Sequence, residues 1–177
     1  MKTPIIRTEQ YTLRPFQESD AKLWQIWDVD TEVQAFMPEP PNEVQGISKQ
    51  YEYIKECEED EEGLYWSIET NSGDTIGTVS LTEINDYHKL ADLGIVIGDK
   101  SYWGKGVASE VIKTLVEYAF ENLDIIRINA ETEADNVVIS KVLEKVGFKQ
   151  DGLFQSARIK SGMRIDVKHY GIVKDTI

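Results

Sequence analysis

Residues 91–109 read ADLGIVIGDKSYWGKGVAS, and the predicted fold rests mainly on these residues. The first seven residues are mostly apolar and β-branched, which is typical of a strand. A loop with Gly104 and Gly106 follows. Beyond it, apolar residues recur with the spacing of an amphipathic helix, at Val111, Ile112, Leu115, Val116, Ala119, Phe120 and Leu123. The stretch therefore predicts a strand, a glycine loop and a helix packed on a sheet.

A glycine loop before a helix suits an anionic ligand, because the first helical N–H groups are free and lie at the positive end of the helix dipole. Two nucleotide-binding motifs are excluded by spacing. Ser109 stands where a dinucleotide fingerprint has its third glycine. A P-loop requires two glycines five residues apart, but Gly98 lies six residues before Gly104. Gly106 also replaces the P-loop Ser or Thr. The loop is thus either a backbone site for a pyrophosphate or a plain strand-to-helix turn.

The flanking sequence predicts more elements of both kinds. Upstream we expect a strand over residues 5–15, a helix from Ala21, a second helix over 43–59 and a hairpin over 64–84. Downstream we expect a strand over 125–132, a helix that Gly147 ends, and a hairpin over 153–173. This order predicts one α/β domain over residues 1–177, with a mixed sheet flanked by helices.

Composition restricts the partners. The 19 basic and 32 acidic residues give a net charge of −13, which disfavours nucleic acid and favours cationic partners, or else serves solubility alone. Cys57 is the single cysteine, so a reducing, cytoplasmic location is expected, and nearby carboxylates should raise its pKa. No stretch has the length and apolarity of a membrane span. The two histidines lack metal-ligand spacing, so we expect no metal.

Two blocks carry a family resemblance. Residues 91–97 with 102–110 resemble the acetyl-CoA-binding segment of the GNAT N-acetyltransferases, in particular their ribosomal-protein-type (RimJ/RimL-like) branch. Residues 130–148 resemble the second conserved segment of that branch, although Ser140 lies four rather than three residues after Asn136. Ser101 stands where the superfamily has Arg or Gln, with Lys100 beside it.

The resemblance implies an acyl-CoA N-acyltransferase fold with a centrally splayed sheet, and acetyl-CoA as cosubstrate. The main chain of Val96 and Ile97 would hold the pantetheine arm, with Asn136 as a further contact. Lys145 would meet the 3′-phosphate. The pyrophosphate would lie on the remaining cofactor residues, Trp103, Gly104, Lys105, Gly106, Val107 and Ala108.

The same resemblance implies direct attack of a neutral amine on the thioester, through a tetrahedral intermediate. For the general base we expect Glu83, facing the cleft from a strand end, with His88 as the alternative. A tyrosine that protonates the thiolate in many relatives is replaced by Leu143. Ser140 is the substitute donor, or else a residue that only satisfies the helix backbone.

The acceptor site should form between the first two helices and the loop over residues 36–41. Its expected walls are apolar and acidic residues, namely Trp24, Trp27, Phe36, Met37, Glu32, Glu39 and Glu43. The expected acceptor is a protein N-terminal amine. A polyamine, an aminoglycoside or another small amine is the alternative, and a CoA-binding regulatory module without turnover is a third reading. The chain should act as a monomer or homodimer.

Overall fold

The computed structural model describes residues 1–37 and 46–174. Within them lie eight strands and four α-helices. The strands are β1 Ile6–Arg7, β2 Tyr11–Pro15, β3 Leu64–Thr70, β4 Thr75–Asn85, β5 Leu90–Ile97, β6 Arg127–Glu133, β7 Lys149–Lys160 and β8 Met163–Val173. The helices are α1 Ala21–Val29, α2 Ile47–Glu59, α3 Val107–Asn122 and α4 Val137–Val146. Predicted residues 43–45 of the second helix lie outside the described part of the chain.

The strands form one sheet in the order β1-β2-β3-β4-β5-β6-β8-β7. Neighbouring strands are antiparallel except β5 and β6, which are parallel. That parallel ladder joins Leu90–Leu93 to Arg127–Ala130 and then stops, although β5 continues to Ile97 and β6 to Glu133. The two strands therefore part at their carboxyl ends, and the predicted mixed, centrally splayed sheet is confirmed.

Each face of the sheet carries two helices. On one face α3 and α4 cover the larger core, which includes Trp66, Leu81 and Ile112. On the other face α1 and α2 cover a smaller, aromatic-rich cluster built around Trp24 and Trp27. In β5, Val96 packs against the smaller cluster, whereas Ile95 and Ile97 pack against the larger one. This alternation is the normal consequence of the two-residue strand period.

A buried ion pair anchors the start of α1. Arg14 bonds both carboxylate oxygens of Asp20 at 2.8 Å, and the Ser67 hydroxyl donates to the same carboxylate at 2.7 Å. Burial alone would raise the pKa of Asp20, but the bonds from Arg14, Ser67 and the Gln17 N–H bring it below its ordinary value. Asp20 is 2% exposed, so its charge depends on Arg14.

The single cysteine lies in the smaller cluster. Cys57 is buried, and its pKa rises to about 11. The raised pKa was predicted from the neighbouring carboxylates, and its direction is confirmed. Burial is the larger cause, however, and Asp60, Glu56 and Glu58 add to it. Among the described residues no helix is long and apolar enough to cross a membrane.

Candidate functional site

The glycine loop ends in a helix start that is open to a ligand. Gly104 has φ +71° and Gly106 has φ +85°, and no heavy atom lies within 4 Å of where a Cβ would stand on either. Gly106 is the N-cap of α3, and no side chain caps it within the described chain. The first helical bond runs from the Glu110 N–H to the Gly106 carbonyl at 3.1 Å. The N–H groups of the first helical turn before Glu110 are therefore free of helical partners, as a pyrophosphate requires.

The register of β5 decides which main-chain groups face the splay. The Gly98 N–H donates to the Ile76 carbonyl of β4 at 3.0 Å. Hydrogen-bonded and non-bonded pairs alternate along an antiparallel ladder, so Val96, two residues earlier, also turns its main chain toward β4. Ile95 and Ile97 turn theirs toward β6. The register therefore turns the main chain of Val96 away from the splay and those of Ile95 and Ile97 toward it, and the cofactor contacts of Val96 and Ile97 stay predictions.

Trp103 has a structural contact that sequence reasoning did not anticipate. Its indole N–H donates to the Ile97 carbonyl oxygen at 2.7 Å, which fixes the end of β5 against the loop. The Ile97 carbonyl is thus already engaged. Lys105 is exposed, and its ammonium lies 5.3 Å from the centre of the Tyr102 ring. Lys105 is therefore an exposed cation within the loop, and its contact with the cofactor stays a prediction.

A cavity of about 480 Å³ opens on the α1 and α2 face of the same splay. Its floor is formed by β4 and β5, where residues 94–96 have already left the β6 ladder. Aromatic rings make most of its walls, namely Phe16, Trp24, Trp27, Tyr53 and Tyr65. The glycine loop and this cavity thus both lie at the carboxyl end of β5, a central strand of the sheet.

Two glycines, one in β5 and one directly after it, allow close contacts with the cavity wall and floor. A Cβ on Gly98 would stand 2.0 Å from the Trp27 ring, so the bare backbone lets this indole close one end of the cavity. A Cβ on Gly94 would stand 3.0 Å from the Ser80 hydroxyl, and both residues line the cavity floor. A side chain at Gly94 would reduce the cavity floor, and one at Gly98 would displace the Trp27 ring from its place in the cavity wall.

Asp28 is the one carboxylate among the described residues that line the cavity. Burial raises its pKa, and the opposing effect is a hydrogen bond from the Gln50 amide. Gln50 is 7% exposed and also lines the cavity. Neither residue carries a signal in the sequence, because they lie on different helices and only the packing of α1 against α2 brings them together.

The predicted acceptor walls are confirmed in part as cavity lining. Trp24, Trp27 and Met37 line the cavity, whereas Phe36 does not and instead lies against Lys160. Glu32 is also absent from the lining, because Lys100 binds it at 2.5 Å. Predicted residues Glu39 and Glu43 lie outside the described chain.

Two lysines hold the segment between Asp30 and Phe36 in place. Lys100 binds Asp30 at 2.7 Å in addition to its pair with Glu32, so it is not free for a pyrophosphate. Lys160, at the end of β7, donates to the Ala35 carbonyl oxygen and pairs with Glu133 of β6, each at 2.5 Å. The wall of the cavity is therefore attached to both halves of the splayed sheet.

The two predicted bases lie away from the cavity. Glu83 occupies a β-bulge with φ +50°, three residues beyond Ser80, or about 10 Å along the strand. It is exposed, and it lies beside the part of β5 that is still paired with β6. His88 is exposed in the following turn. Its backbone N–H donates to the Asn85 side-chain oxygen at 2.8 Å, and its ring contacts that of Tyr87. The expectation that Glu83 faces the cleft is therefore wrong.

The α4 residues have mainly structural contacts. Asn136 is the N-cap, and its side-chain oxygen accepts from the Ile139 N–H at 3.3 Å. The buried Ser140 hydroxyl donates to the Asn136 carbonyl at 2.9 Å, as a residue that satisfies the helix backbone would, and its role as proton donor stays a prediction. Leu143 is buried in the larger core. Lys145 is exposed nine residues after Asn136, about 14 Å along the helix. The cofactor contacts of Asn136 and Lys145 stay predictions.

The described residues contain no group of three or more His, Cys, Asp or Glu side chains arranged to hold a metal ion. What they do provide is an uncapped helix start, main-chain groups of β5 beyond the β6 ladder and an open cavity with aromatic walls. This arrangement fits a long anionic ligand on one side of β5 and a small molecule or chain end on the other.

Comparison with known proteins agrees with this geometry. Residues 10–149 match the acetyltransferase (GNAT) domain family. An uncharacterized N-acetyltransferase, p20, from Bacillus licheniformis is 31% identical over 170 residues, covering 94% of each chain.

Solved structures show the same fold. A spermidine N-acetyltransferase from Vibrio cholerae, in complex with CoA and spermine, superposes with a TM-score of 0.85 at 25% identity, covering 93% of this chain and 96% of that one. RimL, a ribosomal L7/L12 α-N-protein acetyltransferase in complex with CoA, gives 0.87 at 20% identity, covering 97% and 99%. At that identity the second comparison bears on the fold alone.

Proposed function

This chain belongs to the GNAT acetyltransferase family and is an acetyl-CoA-dependent N-acetyltransferase, and we propose that its acceptor is a protein N-terminal amine. One observation carries the proposal. The β5–β6 ladder ends after Leu93, and the cavity opens directly onto residues 94–96 of β5. A donor on the β6 side of this strand and an acceptor in the cavity would therefore meet across a single strand.

Acetyl-CoA, when bound, supplies a thioester carbonyl that an amine can attack. The free N–H groups at the start of α3 would hold its pyrophosphate, and the main chain of Ile95 would bond the pantetheine arm or the developing oxyanion. The acceptor ammonium would first lose one proton to solvent or a base, and the neutral amine would then attack the carbonyl. The C–N bond forms in a tetrahedral intermediate, and the C–S bond breaks when it collapses. The nitrogen loses a second proton and the thiolate takes one from solvent, since a thiol with a pKa of about 8.5 is a good leaving group.

The shape and chemistry of the cavity support an amine acceptor. A peptide N-terminus presents one ammonium beside one side chain, and the cavity presents a carboxylate among aromatic rings. The site lies at the surface between α1 and α2, so a chain end can enter without unfolding. We place the reaction in the cytoplasm, with the enzyme acting as a monomer or homodimer.

A polyamine is the second candidate acceptor. The structure of the Vibrio cholerae spermidine N-acetyltransferase with CoA and spermine, at 25% identity, favours it. A CoA-binding module without turnover is the remaining alternative, since Leu143 and Ser101 depart from the family pattern.

A thiol-release assay with acetyl-CoA separates these possibilities. The enzyme is supplied with peptides bearing free N-termini, with the same peptides N-terminally blocked, and with spermidine. Release that depends on the free peptide amine supports the proposal, whereas release with spermidine alone replaces it with the polyamine reading. Saturable CoA binding without product from any amine would instead identify a binding module.

A further inference from the structure

Asp28 lacks the cationic partner that the two most buried carboxylates of the described chain have; Asp92 shares this feature, with the Asn129 amide as its partner, but only Asp28 of these lines the cavity. Asp20 is matched by Arg14, and Glu133 is matched by Lys160. Asp28 is partly buried, yet within the described chain its partner is the uncharged amide of Gln50. A carboxylate removed from water without a cation is unfavourable, and a cationic ligand would relieve that cost.

The surroundings of Asp28 indicate what kind of cation would fit. Trp24 and Trp27 precede it on α1 by four residues and one residue, and the Tyr53 ring lies 6.0 Å from that of Trp24. Aromatic faces attract an ammonium group and also pack against an apolar substituent. The cavity therefore offers one charge contact and a large apolar surface.

A second feature argues against a ligand with several charges. Lys49, next to Gln50 on α2, is exposed and also belongs to the cavity lining, to which it contributes a cationic side chain. A linear polyamine has three or four cationic centres, whereas the described lining has one carboxylate and one opposing cation. Binding a polyamine would bring its additional charges toward the Lys49 side chain, with no second carboxylate in the described lining to match them.

We propose that Asp28, held by Gln50, selects an acceptor with a single positive charge next to an apolar group the size of a side chain. The inference deepens the proposed function and rests on it. The acceptor class covers a protein N-terminus whose first residue is bulky and apolar, and it also covers a small arylalkylamine. Both present an ammonium to the carboxylate and an apolar group to the rings.

The test uses the full-length chain and four probes: acetyl-CoA, a phenylalanyl dipeptide amide, phenethylamine and spermidine. Asp28→Asn removes the charge but keeps an oxygen that can accept from Gln50. Glu52→Gln is the matched control, because it removes one charge from an exposed position on α2, two residues after Gln50 and on the opposite side of the helix.

Wild-type kcat/KM should be about tenfold or more higher for the two monocationic probes than for spermidine. Asp28→Asn should raise KM for those probes about 10- to 100-fold and change kcat much less, while Glu52→Gln stays within about twofold. A preference for the dipeptide amide assigns the chain-end source, and a preference for phenethylamine assigns the small amine. A preference for spermidine overturns the proposal.

Equilibrium binding separates this inference from the proposed function. Titration of phenethylamine into the CoA complex measures amine binding without turnover, and Asp28→Asn should weaken it by the same factor. The affinity should also fall as the pH is lowered through the raised pKa of Asp28. If wild type binds the amine in this way but transfers no acetyl group, the proposed function is wrong and the site assignment stands. Equal affinity in wild type and Asp28→Asn refutes the assignment.

Asp28→Asn should not destabilise the fold, so a loss of binding in this variant cannot be attributed to unfolding. A raised carboxylate pKa means that ionised Asp28 reduces stability at neutral pH. This cost decreases as the pH falls through the raised pKa and is absent below the ordinary carboxyl pKa of about 3.9. The Tm of Asp28→Asn at neutral pH should therefore be at least as high as that of wild type. A loss of amine binding in this variant then reports on the site and not on the fold.

Discussion

Replacing Gly106 with valine tests whether the start of α3 binds the cofactor. Gly106 has φ +85° and faces open space, so a valine there meets no clash with the protein itself. Its β-branched side chain either accepts a left-handed backbone, at a cost of about 1–3 kcal/mol, or turns the 106–107 peptide away from the helix axis. In either case the side chain or the shifted peptide disrupts the cradle of N–H groups.

The chain offers a matched control for the backbone strain. Gly162, in the turn between β7 and β8, has φ +78° and likewise no heavy atom within 4 Å of an added Cβ. Gly162→Val and Gly106→Val should therefore lose similar stability. At about 2–4 °C per kcal/mol for a chain of this size, each Tm should fall by roughly 2–12 °C.

The two variants should differ in cofactor affinity. A hydrogen bond from a backbone N–H to a charged oxygen contributes about 1.5–3 kcal/mol, so losing one weakens CoA binding about 10- to 150-fold. Isothermal titration with CoA measures this below the Tm of both variants. Gly106→Val should show the loss and Gly162→Val should bind as wild type does. Equal Kd values for Gly106→Val and wild type, with the fold intact, would refute the assignment of the loop.

Three further predictions test positions around the site. Gly98→Ala places a Cβ against the Trp27 ring, so it should lower the free energy of unfolding by about 1–3 kcal/mol in denaturant titrations. Because the ring must shift, the KM for the acceptor should rise. An unaltered KM would exclude that ring from the acceptor wall. Arg14→Leu leaves Asp20 buried without a cation and should cost about 3–5 kcal/mol. Wild-type stability from this pair is present above about pH 4 and is lost as the pH falls through the lowered pKa of Asp20, a loss that Arg14→Leu should not show; identical pH profiles would contradict the pairing. Ser140→Ala should lose about 1 kcal/mol of stability and keep kcat within about twofold, whereas a tenfold fall in kcat at wild-type CoA affinity would restore its predicted role as proton donor.

The sequence was sufficient to predict the elements that carry a local signal. The helix after Gly106 is marked by its apolar period, and the end of α4 by Gly147, which adopts φ +117° as a C-cap glycine does. The splay itself followed from the family resemblance. It leaves no local mark in β5, because a strand reads the same whether or not its neighbour is paired.

What the sequence could not predict depends on register and on packing between helices. Ile95 and Val96 look alike in sequence, and only the pairing of β5 with β4 shows which main chain is free. Asp28 stands between Trp27 and Val29 as an ordinary helical carboxylate until Gln50 packs against it. Glu83 was placed in the cleft by its position at a strand end, but the splay opens at the other end of β5.

The alternation along β5 also constrains how such an enzyme can diversify. The Val96 side chain packs on the α1 and α2 side of β5, whereas the main-chain groups of Ile95 and Ile97 turn toward β6. Under the proposed function, a substitution at Val96 would alter the acceptor side while donor contacts made by the backbone persist. A single-residue insertion or deletion within residues 94–97 would exchange the two sets at once. The length of this strand is therefore more tightly constrained than the identity of its side chains.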